Sequence, residues 1–210
     1  MCVNRLRNGE TVIGTMIGVS ASPAVVRIAK NAGLDYVMLD MEHGPASYET
    51  LAYLAAVSGA AGIGCFVRVP ELSRGYVSRA LDCGADGVMV PMIETVEQAR
   101  MLAGWAKYPP VGKRGLGSIG GHTGYVRIGE AGDFMGRANV GTITIAQIET
   151  VRGVESAGEI AVVDGIDALL VGPLDLSVSL GIPGRFDHPA LDEAIGRVAA
   201  GARSSGKIFG

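Results

Sequence analysis

Residues 142–176 read TITIAQIETVRGVESAGEIAVVDGIDALLVGPLDL, and the fold turns on how they are parsed. Two apolar runs, TITIAQIE and ALLVG, bracket a longer amphipathic stretch. Runs this short and this continuously apolar suit strands buried on both faces, as in a parallel sheet. Parallel neighbours cannot be joined by a tight turn, so the residues between them must cross over, most simply as a helix. Each run leads into an acid, Glu149 in IAQIET and Asp175 in VGPLDLS, 26 positions and therefore one strand–helix unit apart.

The unit recurs on both sides. TVIGTMIG from Thr11, YVMLD from Tyr36, CFVRV from Cys65 and GVMVPM from Gly87 precede it, and KIFG from Lys207 follows. Segments such as SPAVVRIAKNAG, SYETLAYLAAVSG, SRGYVSRALDCG and TVEQARMLAGWAK have helical spacing and mostly end near Gly. This alternation suits an open doubly wound sheet or a closed barrel. Polar residues decide between them: Asp40, Glu42 and His43 follow the second run, Arg68 ends the third, and Glu149 and Asp175 follow later ones. Reactive groups at the C-terminal ends of several strands converge on one mouth in a barrel. The expectation is one domain over residues 1–210, an α/β chain with a TIM (β/α)8-type barrel. Seven strand starts are visible and the last stops at Gly210, so the barrel is expected to be truncated, lacking its C-terminal strand–helix unit.

Composition narrows the function. With 48% hydrophobic and 19% charged residues, 210 residues bury one substantial core. The net charge of −3 is spread without a Lys/Arg block, which points away from nucleic acid and from an anionic membrane and toward small-molecule chemistry. No run of about 18 apolar residues suggests a membrane span. Cys2, Cys65 and Cys83 form no CxxC pattern and suit a reducing, cytoplasmic location.

Individual residues are ambiguous when read alone. Glu149 and Asp175, on neighbouring barrel strands, could hold Mg²⁺ or Mn²⁺ by hard oxygen ligands, or could cap helices and pair with Arg. His43, in DMEHGP, suits proton transfer but also a hydrogen-bonded loop. Arg68, in FVRVP, needs an anion, either a substrate carboxylate or enolate or a buried partner such as Asp40 or Glu42. GPLDLS could open a helix toward an anion through the N–H groups near Leu174 and Asp175. Arg114 to Ser118 could form a second polar lip, and His122 and His188 read as loop residues. GxGxxG, Walker A and nucleophile-elbow motifs are lacking.

Taken in order and spacing, DYVMLDMEHGP, VRVP, ALDCGADGVMVPMIET, YPPVGKRGLGS, AQIET and GPLDLS resemble the HpcH/HpaI class II aldolases, from about Val3 to Gly210. The resemblance implies a metal-dependent pyruvate aldolase that cleaves 4-hydroxy-2-oxo acids to pyruvate and an aldehyde and runs the reverse addition. It implies a divalent metal (Mg²⁺, Mn²⁺ or Co²⁺) on Glu149 and Asp175, with Gln147 lining the pocket. It implies His43 and Asp82 as a proton-relay dyad, the Asp possibly supplied by an adjoining subunit, and Arg68 on the enolate oxygen. Leu174 and Asp175 amides would hold the pyruvate carboxylate, and Ser118 and His122 would face the substrate. The implied partners are a 2-oxo acid and an aldehyde, in a homo-oligomer, trimer or hexamer. Relatives that cleave dicarboxylic substrates carry an Arg a few residues after RGxGS; SIGGHTG offers His122 there, which points to an aldehyde without a terminal carboxylate. A related metal-enolate lyase, of the citrate-lyase β type or a decarboxylase, and a non-catalytic binding barrel are the alternatives.

Overall fold

A computed structural model describes residues 2–20 and 22–210. Seven strands lie side by side in chain order, every neighbouring pair parallel: β1 (Gly14–Ile17), β2 (Tyr36–Asp40), β3 (Gly64–Arg68), β4 (Gly87–Val90), β5 (Ile143–Ile148), β6 (Ala168–Val171) and β7 (Ile208–Phe209). Each of the seven apolar runs forms one of them. The crossovers are α2 (Ala24–Asn31), α3 (Tyr48–Ala61), α4 (Arg74–Asp82), α5 (Val96–Ala106), α6 (Ala131–Gly141), α7 (Val151–Ala161), α8 (Pro173–Ser179) and α9 (Pro189–Ser204), and α1 (Cys2–Arg7) precedes β1. The architecture is α/β, a curled parallel sheet with β1 and β7 as its edges. Three features depart from a plain repeat, the first being that the β6–β7 crossover carries two helices, α8 and α9. The β4–β5 crossover carries α5, a 3₁₀ turn at Gly121–Thr123 and α6, and the N-terminal residues form a helix.

The two faces of the sheet bury different residues. Val37, Leu39, Cys65, Val67, Val88, Val90, Ala146, Ile148, Leu169 and Val171 pack outward against the helices. The alternate positions Met38, Phe66, Met89, Ile143, Ile145 and Ala168 pack inward on each other and on Cys2 and Val3 of α1. Side chains along a strand alternate with period two, so each strand serves both layers. Four crossover helices start from hydroxyl caps: Ser47, Ser73, Thr95 and Thr150 each accept the N–H three residues on, and Thr95 with Gln98 completes a capping box.

One tripeptide pattern fixes the register at the N-terminal edge. Gly33-Leu34-Asp35, Gly84-Ala85-Asp86 and Gly165-Ile166-Asp167 each precede a strand, and all three Gly lie at positive φ, where a side chain is strained. Each Asp then grips one residue of the preceding strand segment twice. Its carboxylate accepts that residue's N–H (Ile13, Cys65 and Thr144, 2.8–2.9 Å) and its own N–H donates to the same residue's carbonyl (2.7–2.9 Å). Asp35 pairs with Arg5, and Asp167 with Arg7 and Lys107 at 2.7 Å, whereas Asp86 has no cation partner among the described residues. Burial pushes the Asp86 carboxyl above its ordinary range.

Candidate active site

The inward series turns polar at the C-terminal ends of the strands. Met38 is followed two residues on by Asp40, Phe66 by Arg68, and Ile145 by Gln147 and then Glu149. The apolar interior thus ends in a polar mouth. Asp40 and Arg68 are register partners across β2 and β3, and their side chains meet. Arg68 Nε donates to Asp40 Oδ1 at 3.0 Å and Nη2 donates to Oδ2 at 2.7 Å, a bidentate pair with both residues buried.

Asp40 also shapes the loop that follows it. Oδ1 accepts the backbone N–H groups of Glu42 (3.1 Å) and His43 (3.3 Å), which folds Met41 to His43 back over the strand end. Gly44 completes this turn, because a Cβ there would overlap the Asp40 carbonyl oxygen. Burial works to raise the Asp40 carboxyl, but the Arg68 bond and the loop N–H groups leave it below the ordinary range. Glu42 lies 3.2 Å from Arg68 Nε, off the hydrogen-bonding direction, and its Oε2 is buried without a hydrogen-bond partner. Burial, with the Asp40 and Asp175 charges assisting against Arg68, raises the Glu42 carboxyl.

Glu149, 2% exposed, is held at both oxygens. Oε1 accepts the Met92 N–H at 2.9 Å and Oε2 accepts from Gln147 Nε2. Met92 reaches it from a left-handed backbone, φ 57°, costly for a residue with a side chain. Burial first, then the charges of Asp175 and Glu42, raises the Glu149 carboxyl. Asp175, exposed in the first turn of α8, is therefore close enough for its field to be felt, as β5 and β6 are neighbours. Gly172 sits between them: a Cβ there would overlap Glu149 Oε2 and lie 2.7 Å from Gln147 Nε2.

The remaining expected residues are distributed as follows. His43 is open to solvent, its side chain 66% exposed, with Nε2 3.9 Å from Glu42 Oε1. Asp82, at the end of α4, is not brought to His43 within the chain; its Oδ1 accepts from Arg114 Nη2 at 2.7 Å. His122 is turned inward, with Nε2 3.1 Å from the Gly117 carbonyl and Nδ1 3.4 Å from that of Asp82. Ser118 is exposed on the same loop, and Leu174 is exposed beside Asp175. Gln147 is buried, and its Oε1 has no hydrogen-bond partner. Met92 carried no sequence signal, since nothing in a Met announces positive φ.

The charge balance bears on a metal. Asp40, Glu42, Glu149 and Asp175 feel one another across a mouth that offers one guanidinium, Arg68. Arg68 is hydrogen-bonded to Asp40, no cation among the described residues is paired with Glu149 or Asp175, and Gln147 Oε1 and Glu42 Oε2 have no hydrogen-bond partner. Such a set fits a hard divalent ion on two carboxylates, with water or substrate oxygens filling the sphere. Among the described residues no three His, Cys, Asp or Glu side chains gather to hold a metal by themselves.

Parallel strands that bring the Asp40 and Glu149 carboxylates and the Arg68 guanidinium to their C-terminal ends define the class, an α/β protein with buried polar side chains gathered at one end of its sheet. The family described as HpcH/HpaI aldolase/citrate lyase matches residues 16–210, and the chain belongs to it. It is 37% identical to a 4-hydroxy-2-oxovalerate aldolase of Novosphingobium aromaticivorans, over 98% of this chain and 77% of that protein. It is 32% identical to a 2-keto-3-deoxy-L-rhamnonate aldolase of Salmonella gallinarum, over 98% and 76%. The crystal structure of an HpcH/HpaI aldolase from Desulfitobacterium hafniense superposes with a TM-score of 0.93 at 36% identity, covering 98% of this chain and 79% of that one. No helix among the described residues is long and apolar enough to cross a membrane.

Proposed function

We propose that the chain is a class II pyruvate aldolase that cleaves 4-hydroxy-2-oxo acids to pyruvate and an aldehyde and catalyses the reverse addition. The observation that carries this reading is the buried Glu149 carboxylate, within the field of Asp175 and beside the Arg68 guanidinium at one mouth. These two carboxylates hold a divalent cation, Mg²⁺, Mn²⁺ or Co²⁺. When bound, it supplies Lewis-acid stabilisation of the negative charge that develops on the 2-oxo oxygen as the C–C bond breaks.

The chain's own residues do the rest. Asp40 takes Arg68 Nε and Nη2, which leaves Nη1 without a partner among the described residues and available to an anionic oxygen of the substrate. The first-turn N–H groups of Leu174 and Asp175 have no intrahelical acceptor and hold the pyruvate carboxylate. Gln147 orients Glu149 by its Nε2 and lines the pocket with Oε1. His43 moves the proton at the pyruvate methyl carbon, and the loop carrying Ser118 and His122 borders the aldehyde side. Within one chain Asp82, with Oδ1 on Arg114, is not brought to His43, so the His43–Asp82 dyad is completed between two copies in a homo-oligomer. Lys107 is not positioned for an imine: it is buried, with Asn139 O, Thr142 O and Asp167 on its Nζ, and Asp167 lies at the opposite ends of the strands from the mouth.

The architecture this reading implies is a β/α barrel, and the curled parallel sheet with edges β1 and β7 supports it. The three free thiols suit a cytoplasmic enzyme. The test is release of pyruvate from a 4-hydroxy-2-oxo acid by protein supplied with Mn²⁺, followed through lactate dehydrogenase and NADH. Loss of the signal with EDTA and its return with excess Mn²⁺ is the expected result. Undiminished release in EDTA rejects the metal assignment, and failure to bind pyruvate at all leaves a non-catalytic barrel.

A further inference from the structure

Arg114 has no part in the chemistry above, yet it is among the most unusual side chains in the molecule. Its side chain is only 3% exposed, on the long β4–β5 crossover, and its Nε is buried without a hydrogen-bond partner. Its Cζ lies 4.7 Å from the centroid of the Tyr108 ring, and Nη2 donates to Asp82 Oδ1 at 2.7 Å. Burying a guanidinium with one donor unsatisfied is costly, and the structure tolerates it in order to reach a carboxylate that is itself 41% exposed. Asp82 Oδ2 has no hydrogen-bond partner among the described residues. A core ion pair would bury both partners; here the cation is sunk and the acid is presented.

The surroundings fix both groups. Asn139 clamps the Tyr108 backbone, its Oδ1 accepting the N–H at 2.7 Å and its Nδ2 donating to the carbonyl at 3.0 Å, which sets the ring under Arg114. The Arg114 N–H donates to the Lys107 carbonyl at 3.0 Å. From the other side the His122 ring approaches the Asp82 carbonyl, and Phe134 lies edge-on to both the His122 and Tyr108 rings at 6.0–6.1 Å. The carboxylate therefore has one oxygen tied and one free on a rigid backing.

We propose that Arg114 is a positioning residue that orients Asp82 so that its free oxygen receives the His43 imidazole of a second copy. This rests on the aldolase reading and on its His43–Asp82 dyad. A carboxylate held by one oxygen accepts the imidazole N–H with the other in a defined geometry, whereas an untethered Asp82 samples several rotamers and orients His43 only part of the time.

The experiment measures solvent exchange of the pyruvate methyl protons by NMR, together with pyruvate affinity, in Mn²⁺-supplemented protein. Arg114→Met keeps the stem over Tyr108 and removes the donors. It is expected to slow exchange by about 10- to 100-fold, the usual range for an outer-shell partner, while pyruvate Kd stays within about twofold. Arg114→Lys, which keeps a donor but not the fork, is expected to fall between Met and the parent, and it serves alone if Arg114→Met does not fold. Asp82→Asn combined with Arg114→Met is expected to be no slower than Asp82→Asn alone. Parental exchange in Arg114→Met, or in Arg114→Lys where that variant serves alone, overturns the proposal, as does a double variant slowed by the product of the single effects. If Asp82→Asn itself exchanges at the parental rate, the dyad falls and the failure belongs to the underlying reading.

Discussion

Gly172→Ala isolates the packing requirement of the carboxylate pair. The backbone of Gly172, φ −94° and ψ 90°, is open to alanine, so the substitution carries no backbone strain of the kind that positive φ imposes. What changes is one methyl group, placed on Glu149 Oε2 and 2.7 Å from Gln147 Nε2. Glu149 cannot step aside freely, because it is buried and its other oxygen is held by the Met92 N–H at 2.9 Å. Forcing an extra methyl into a packed site costs about 1–3 kcal/mol. If the carboxylate must be pushed back to the parental position for a cation to bind, the same cost weakens Mn²⁺ affinity by roughly 5- to 150-fold. Titration calorimetry with Mn²⁺ reads this directly, and the thermal shift on adding Mn²⁺ should shrink in step. Gly136→Ala in α6, where an added Cβ meets nothing within 4 Å, is the control and should leave affinity unchanged. Mn²⁺ affinity within twofold of the parent in Gly172→Ala refutes the placement of Glu149 as a metal ligand.

Two further substitutions probe the ends of the strands. Arg68→Lys keeps a charge for Asp40 but loses the fork, so turnover should drop by about 10²–10³-fold, the scale for one lost oxyanion donor, with Mn²⁺ affinity little changed; steady-state kinetics within threefold of the parent would contradict the enolate role. Asp86→Asn tests the clamp that lacks a cation. Because folding raises the Asp86 carboxyl above its unfolded value, its ionisation costs stability that sets in as pH rises from the ordinary carboxylate range through the folded pKa. The amide can still accept the Cys65 N–H, so the variant should be more stable at neutral pH by on the order of 1 kcal/mol, about 2–4 °C in Tm, and the gain should vanish in acid. A Tm gain independent of pH would show that the charge is not its source.

Much of the fold was legible because it rests on local pattern. Seven apolar runs gave seven strands, and stretches of helical spacing ending near Gly gave the helices between them. The β4–β5 crossover was less legible: Gly-rich text from Gly112 to Gly129 gave no period, and α6, with no buried residue, has no apolar stripe to betray it. The Gly-x-Asp repeat was in plain view and went unread, because its meaning lies in hydrogen bonds to the preceding strand segment. In the mouth, Arg68 was recognised as needing an anion, and the structure supplies Asp40 as that anion while leaving Nη1 without a partner among the described residues. Sequence could not show that Arg114 reaches Asp82 across 32 positions, since nothing in KRGLGS indicates which way the guanidinium turns.

The clamps at one end of the strands and the chemistry at the other are parts of one device. Period two means that a slip of one residue between neighbouring strands sends every inward side chain outward. On β2 that slip removes Asp40 from Arg68, and on β5 it carries Gln147 and Glu149 into the helical layer in place of Ile148. Each Gly-x-Asp clamp ties two consecutive strands, β1 to β2, β3 to β4 and β5 to β6, by two bonds to a single residue, so a slip breaks both at once. α1 reinforces two of the three by setting Arg5 on Asp35 and Arg7 on Asp167. Asp40 at the mouth thus stands five residues beyond Asp35 along the same stretch of chain, so a clamp at one end of β2 helps to place a side chain at the other. Each lower acid is committed to a backbone N–H, and Asp35 and Asp167 to arginines as well, so none of the three is offered to the mouth.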